Sequence, residues 1–334
     1  MPSAPLVTER DRPKARILGL GVYRPRRSVT NDELCEAIDS SDEWIRERTG
    51  IARRRWAGED EPLEMMALAA GRAAVAASGL EADSVGMVIV ASCTSVQPFW
   101  PMASQVAGSL GLEVPAFDMN ATCAGFCYSL GLARDLIGSG TVSTVLVIGA
   151  ERTTDVLDHT DRGTAFLFAD GAGAALVGAG STEGVGPVVW GSHGTKGASL
   201  VLTPSWAEYR RDPGVGAPSV RMDGRRVFRW AAEEMPRVAQ AAVDAVGLTL
   251  KDIQVFVPHQ ANLRITQAIV RGLDLPESVV VAEDIVDSGN TSSASVPLAL
   301  ERALADGRVH SGDLALLLGF GGGLSFAGQV VTVP

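Results

Sequence analysis

Four short stretches of this chain carry side chains that could do chemistry. In Asp118-Met-Asn-Ala-Thr-Cys123-Ala-Gly-Phe-Cys127, a turn of small residues leads into a helix with Cys123 at its first turn. A helix N-terminus exposes unpaired N–H groups and a partial positive charge, which lowers a thiol pKa and favours the nucleophilic thiolate. The competing reading is a buried structural cysteine, the usual fate of the residue type. Cys127 lies one turn deeper on the same face and is assigned to packing. In Val255-Phe-Val-Pro-His259-Gln-Ala-Asn262-Leu-Arg264, a buried strand delivers His259 to its exit. Strand ends are where α/β sites collect, although a satisfied core histidine fits as well. In Asp287-Ser-Gly289-Asn290-Thr-Ser, Gly289 makes a tight turn and Asn290 heads a helix. Asn290 is then either an ordinary N-cap or a neutral donor aimed at a carbonyl. In Gly319-Phe320-Gly-Gly-Gly323, three glycines follow a buried strand. They make either a flexible turn or a set of accessible N–H groups of the oxyanion-hole kind.

The elements that must position these residues repeat once along the chain. Ala73 to Val90 and Ala241 to Val257 both read as a helix ending at Gly-Leu, a short polar stretch and a β-branched strand, 168 positions apart. Cys123 to Gly140 and Asn290 to Gly307 both read as a loop, a helix and a glycine, 167 positions apart. Two matches at nearly one offset point to duplication. Continuous apolar runs such as Met87 to Ala91 and Leu314 to Leu318 suggest strands buried on both faces. The expected class is therefore α/β. The expected layout is a mobile tail over 1–14, a first half over 15–181, a connecting or inserted segment over 182–229 and a second half over 230–334. The connecting segment is rich in Gly, Pro, Trp and Arg, with weak periodicity.

The whole-chain numbers exclude several classes. The 334 residues are 46% hydrophobic and 20% charged, an ordinary globular composition rather than a disordered one. A net charge of −10 argues against a general nucleic-acid binder, which needs a basic face for phosphates. No apolar run approaches the roughly 18 residues of a bilayer span, so no membrane association is expected. No secretory signal is read at the start, and a cytoplasmic, thiol-reducing location is expected. The four cysteines form no CxxC pair and no zinc cluster, so no metal is expected. Gly171-Ala-Gly-Ala-Ala-Leu176 lacks the third glycine of a dinucleotide fingerprint, and neither GxxxxGK[ST] nor GxSxG occurs.

Taken together, the motifs resemble the β-ketoacyl-acyl-carrier-protein synthase III family of the thiolase superfamily. The resemblance runs from about Ala15 to the C-terminus. It rests on Ser41-Asp-Glu-Trp-Ile-Arg-Glu-Arg-Thr-Gly-Ile51, the Cys123 elbow, Asp161-Arg-Gly-Thr164, Asp170-Gly-Ala-Gly-Ala174, Val257-Pro-His-Gln-Ala-Asn-Leu-Arg264, Gly289-Asn-Thr-Ser292 and Gly319-Phe-Gly-Gly-Gly323. It implies a homodimer with the duplicated, five-layer αβαβα fold. It implies transfer of a short acyl group from acyl-CoA to Cys123, then decarboxylative condensation with malonyl-acyl-carrier protein. The product is a 3-ketoacyl thioester that starts fatty acid or polyketide synthesis. His259 and Asn290 become the decarboxylation pair, and the N–H groups of Cys123 and Gly322 the second oxyanion site. Acyl-CoA is a substrate, with no permanently bound cofactor.

For CoA, the resemblance implies contacts from Trp44, Arg48 and Thr49, with Arg162 on the other face of the adenine. Five arginines between Trp44 and Trp56 form a local basic patch, which is assigned to CoA as a whole. Gly224, Phe228, Ala261 and Asn262 resemble the pantetheine tunnel, Phe320 the malonyl pocket, and Arg264 a carrier-protein docking residue. Three departures stand out. Asp223 and Arg225 flank Gly224 where an Asn usually follows it. The loop Ser92 to Pro101 is one residue longer than the common family pattern, and either Phe99 or Trp100 closes the partner subunit's acyl pocket. Residues 192–220 are extended, as in actinobacterial members. Two alternatives remain: an acyltransferase of this fold without decarboxylation, and a non-catalytic subunit that binds carrier protein.

Overall fold

The computed structural model describes residues 13–95, 97 and 99–334. Of the expected tail over 1–14, residues 1–12 lie outside the described residues, and Lys14 already opens the first strand.

The first half contributes β1 (Lys14–Tyr23), a hairpin of β2 (Arg27–Thr30) and β3 (Arg53–Trp56), β4 (Val88–Ala91), β5 (Ala116–Met119), β6 (Thr144–Arg152) and β7 (Asp170–Gly180). The second contributes β8 (Val189–Ser192), a hairpin of β9 (Leu200–Thr203) and β10 (Ser219–Met222), β11 (Val255–Pro258), β12 (Val280–Val281), β13 (Leu314–Gly321) and β14 (Ser325–Thr332). One sheet has the order β1-β7-β6-β4-β5 and the other β8-β14-β13-β11-β12. The pattern of antiparallel and parallel neighbours is the same in both. The repeat read in the sequence is thus a repeat of topology.

Six helices matter for the site: α1 (Asp42–Thr49), α2 (Leu63–Ser78), α3 (Gly125–Gly138), α4 (Gly224–Asp244), α5 (Leu263–Leu273) and α6 (Ser295–Ala305). Helices α3 and α6 lie between the two sheets. Phe126, Leu130 and Ile137 share one core there with Val296, Leu300, Val147 and Leu317. Helix α2 covers the outer face of the first sheet, and α4 and α5 cover that of the second. This gives five layers, α/β/α/β/α. Strands covered on both faces must be apolar at every position, which is why β4, β11 and β13 read as unbroken apolar runs.

The connecting segment is less separate than the sequence suggests. Its β8 pairs with β14 inside the second sheet, and α4 begins within it at Gly224.

The register of the repeat also differs where it matters most. The strands β4 and β11 lie 167 positions apart, one fewer than the 168 read from their segments, whereas α3 and α6 begin 170 positions apart. Helix α6 is three residues shorter, so the glycines after the two helices fall back to 167. The turns before them share an uncommon feature: Thr122 and Ser292 both have positive φ, 48° and 49°. Cys123 therefore corresponds to Ser293, not to Asn290.

Candidate active site

A cavity of about 810 Å³ lies where the halves meet. Its buried end is lined by Cys123, His259, Asn290, Phe320 and Gly321, and its exposed end carries Trp44, Arg48, Arg162, Arg225 and Arg264. Residues from both repeats thus converge on one space.

Cys123 sits in the single 3₁₀ turn before α3. Its own backbone N–H and that of Gly322 lie near enough to its sulfur to lower the thiol pKa. The glycine run permits this approach. A Cβ on Gly321 would lie 2.7 Å from the Cys123 sulfur, closer than real Cβ atoms come. Gly322 itself does not line the cavity, and its carbonyl accepts from the Thr122 hydroxyl at 2.8 Å. The low thiol pKa expected from the helix N-terminus is not found. Burial pushes the Cys123 thiol up to about 11, and the surrounding N–H groups offset only part of this. Cys127 is packed in the central core, as assigned.

His259 follows β11 and is buried. Its backbone N–H donates to the Leu318 carbonyl at 2.7 Å, and its ring meets the Phe320 ring at 5.3 Å, edge to face. Burial drives its pKa down to about 3, so the imidazole is neutral. Asn290 has its backbone N–H on the Leu167 carbonyl at 2.9 Å. Its Oδ1 accepts the Ser292 N–H at 2.9 Å. That bond fixes the amide orientation and leaves the Nδ2 hydrogens to donate. The two readings of Asn290 are therefore compatible. One end of the amide caps a turn and the other is free to act. Gly289 is required beside it, with φ of 69° and a would-be Cβ 2.8 Å from the Arg54 Cβ.

At the exposed end, the Arg162 guanidinium lies 5.0 Å from the Trp44 ring centre and that of Arg48 5.8 Å. Thr49 lines the cavity, but its hydroxyl is committed, donating to the Ile45 carbonyl and accepting the Ile51 N–H. Asn262 caps α5 through the Arg264 N–H and donates to the Arg48 carbonyl at 3.1 Å, tying α5 to α1. Gly224, Phe228, Ala261 and Arg264 line the same cavity. Phe99 and Trp100 do not, and both are exposed.

The arginine patch does not act as a unit. Only Arg48 of its five members lines the cavity. Arg46 pairs with Asp42 at 2.7 Å and Arg53 with Asp287 at 3.3 Å. Arg55 donates to the Arg26 carbonyl at 3.1 Å. Arg54 is wholly buried, with its guanidinium on Asn31 Oδ1 at 2.7 Å and the Phe166 carbonyl at 3.0 Å. It braces the turn that carries Asn290.

Two side chains escaped sequence reasoning. Glu151, at the end of β6, is fully buried and accepts from the hydroxyls of Thr94 and Ser292 at 2.7 and 3.0 Å. It joins the loop after β4 to the Asn290 turn, across the two halves. Ser295 lies against His259. Nothing in the spacing marks either residue, because their partners are distant in sequence.

Comparison with known proteins gives this site a family. The 3-oxoacyl-[acyl-carrier-protein (ACP)] synthase III model matches residues 117–194, and the model of that enzyme's C-terminal part matches residues 243–333. The chain is 49% identical to the β-ketoacyl-[acyl-carrier-protein] synthase III of Streptomyces glaucescens over 323 residues, 96% of this chain and 97% of the relative.

The chain belongs to the β-ketoacyl-acyl-carrier-protein synthase III family.

A mycobacterial β-ketoacyl-[acyl-carrier-protein] synthase III, from Mycobacterium avium (strain 104), is 49% identical over 95% of both chains. Among solved structures, the priming β-ketosynthase of the R1128 polyketide biosynthetic pathway superposes with a TM-score of 0.97 at 47% identity, covering 99% of both chains. The synthase III of Aquifex aeolicus VF5 gives 0.87 at 36%, covering 95% of this chain and 99% of that one. This synthase III is a condensing acyltransferase with the thiolase fold. Among its described residues, no group of three or more His, Cys, Asp or Glu is arranged to hold a metal ion. No helix among them is long and apolar enough to cross a membrane.

Proposed function

We propose that this enzyme primes chain synthesis by a two-step exchange at Cys123. In the first step the thiol attacks the carbonyl carbon of a short acyl-CoA. The enzyme–carbon thioester bond forms, the bond to CoA breaks, and the thiol proton leaves with CoA. In the second, malonyl-acyl-carrier protein enters, its carboxylate departs as CO2, and the electron pair passes into an enolate. His259 and the Asn290 amide donate hydrogen bonds to that enolate oxygen. The nucleophilic carbon attacks the acyl carbonyl and the Cys123 thiolate leaves. The N–H groups of Cys123 and Gly322 hold the oxyanion of the tetrahedral intermediates. One observation supports this reading above the others: a cysteine at a helix start, with a glycine packed against its sulfur, shares a cavity with two neutral side-chain donors. An acyltransferase without decarboxylation has no task for the Asn290 amide, and a non-catalytic subunit has none for Cys123.

The exposed end of the cavity suits CoA. A purine entering between Trp44 and Arg162 exchanges an exposed cation–π contact, about 0.5–1 kcal/mol, for stacking on both faces. Arg48 supplies charge for a phosphate, and Phe228, Ala261 and the α4 start at Gly224 line the way for pantetheine. Arg264, exposed beside the opening, suits an acidic carrier protein. We read the enzyme as a cytoplasmic homodimer. The complete exposure of Phe99 suits a surface covered by a second copy.

The test is a panel of acyl-CoA esters, each incubated with the enzyme and followed by intact mass. A mass increase equal to one acyl group is expected for short chains, with CO2 release once malonyl-acyl-carrier protein is added. Acylation without CO2 release would select the acyltransferase reading. Arg48→Ala should raise the KM for acyl-CoA about tenfold, the size of one lost charge-assisted hydrogen bond. The KM for malonyl-acyl-carrier protein should move far less, and equal effects on both would assign Arg48 to structure.

A further inference from the structure

We propose that Ser295 is a positioning residue for decarboxylation: its hydroxyl donates to His259 Nδ1 and holds the imidazole in the tautomer whose proton is on Nε2. This rests on the donor role given to His259 above.

Ser295 Oγ and His259 Nδ1 are 2.7 Å apart, and the proton between them has two possible owners. The same Oγ accepts the Gln260 backbone N–H at 3.3 Å. A serine hydroxyl has one hydrogen and two lone pairs. If the imidazole donated from Nδ1, Oγ would accept twice, and its own hydrogen would point at no acceptor. Ser295 is 1% exposed, and among the described residues its hydroxyl has no other hydrogen-bond partner. Stranding a buried donor is unfavourable enough to exclude that arrangement by roughly tenfold or more. The hydroxyl therefore gives its hydrogen to Nδ1, and the ring keeps its proton on Nε2, the nitrogen left for the cavity. The neutral ring is then a donor at the position where an enolate oxygen needs one.

The repeat supports the pairing independently. In the first half, the position matching His259 is Ser92 and the position matching Ser295 is Gly125. A Cβ on Gly125 would lie 2.9 Å from the Ala91 Cβ, so no side chain fits there. The half without the imidazole also lacks the hydroxyl, and the histidine–serine pair occurs once per chain.

The experiment is long-range ¹⁵N–¹H NMR of the histidine-labelled enzyme, with the His259 signals assigned by difference from His259→Gln. The wild-type spectrum should show the Nε2–H tautomer. Nδ1–H in the wild type would overturn the proposal, whether or not any Ser295 variant folds. In Ser295→Ala, CO2 release at saturating malonyl-acyl-carrier protein should fall about 10- to 100-fold, as for lost orienting partners of other histidines. Acyl-enzyme formation should keep its wild-type rate, and Ser295→Thr should recover most of the loss. Unchanged CO2 release in Ser295→Ala, or an equal fall in both half-reactions, would also overturn it. Normal CO2 release by His259→Ala would instead sink the donor role itself. Loss of release there, with an Nε2–H wild type and unchanged release in Ser295→Ala, would leave that role standing and remove only Ser295.

Discussion

Replacing Cys123 with alanine is expected to abolish the acyl-enzyme completely, with no mass increase after incubation with any acyl-CoA. The other three cysteines offer no substitute: none lines the cavity, and burial pushes the Cys35 thiol up. Cys127 is held against Gly319, and burial pushes its thiol up to about 12. Cys93 is exposed, but its sulfur lies 3.4 Å from a Glu151 carboxylate oxygen, and that negative charge disfavours the thiolate. An acyl adduct in the variant equal to that of the wild type would refute the assignment. The high resting pKa of Cys123 adds a pH signature. Between pH 7 and 10 the free enzyme holds mostly thiol. Its alkylation by iodoacetamide should rise roughly tenfold per pH unit and level off near 11, because only the thiolate reacts. A rate already level at pH 7 would mean that the N–H groups around the sulfur outweigh burial.

That balance marks the limit of what the sequence conveys. The helix start behind Cys123, the strand that delivers His259 and the glycine turn before Asn290 are local patterns, written in neighbouring residues. They could be read directly, and so could the duplicated α/β plan. The depth at which Cys123 lies is not local. It depends on α3 and α6 being enclosed between two sheets, and this reversed the expected direction of the thiol shift. The arginines between Trp44 and Trp56 failed for a similar reason. Their spacing looked like a phosphate patch, but β3 turns Arg54 inward to brace the loop at Gly289, and Asp287 and Asp42 engage two of its neighbours. Glu151 and Ser295 were invisible because each acts on a residue from a distant element. The three-residue difference between α3 and α6 hid one more fact. The nucleophile's counterpart in the second half is Ser293, so the chain keeps one thiol and one imidazole from two copies of the same frame.

His259→Ala and Asn290→Ala should separate the two half-reactions. Each variant should form the acyl-enzyme, since neither side chain supplies the backbone N–H groups beside Cys123. Each should lose CO2 release from malonyl-acyl-carrier protein by about 10²- to 10³-fold, the cost of removing one oxyanion donor. The double variant should fall by less than the product of the two, because both donors serve one oxygen. The pH dependence tests the state of the donor. A pKa near 3 leaves the His259 ring neutral at every pH above that value, with a single N–H. Decarboxylation by the pre-acylated enzyme should therefore show no limb near pH 6.5 that disappears in His259→Ala. Such a limb would mean that the imidazole is charged in the working enzyme and that its burial is relieved when substrate binds. Without it, decarboxylation depends on two neutral donors fixed before the substrate arrives, which need no reorganisation as charge develops on the oxygen.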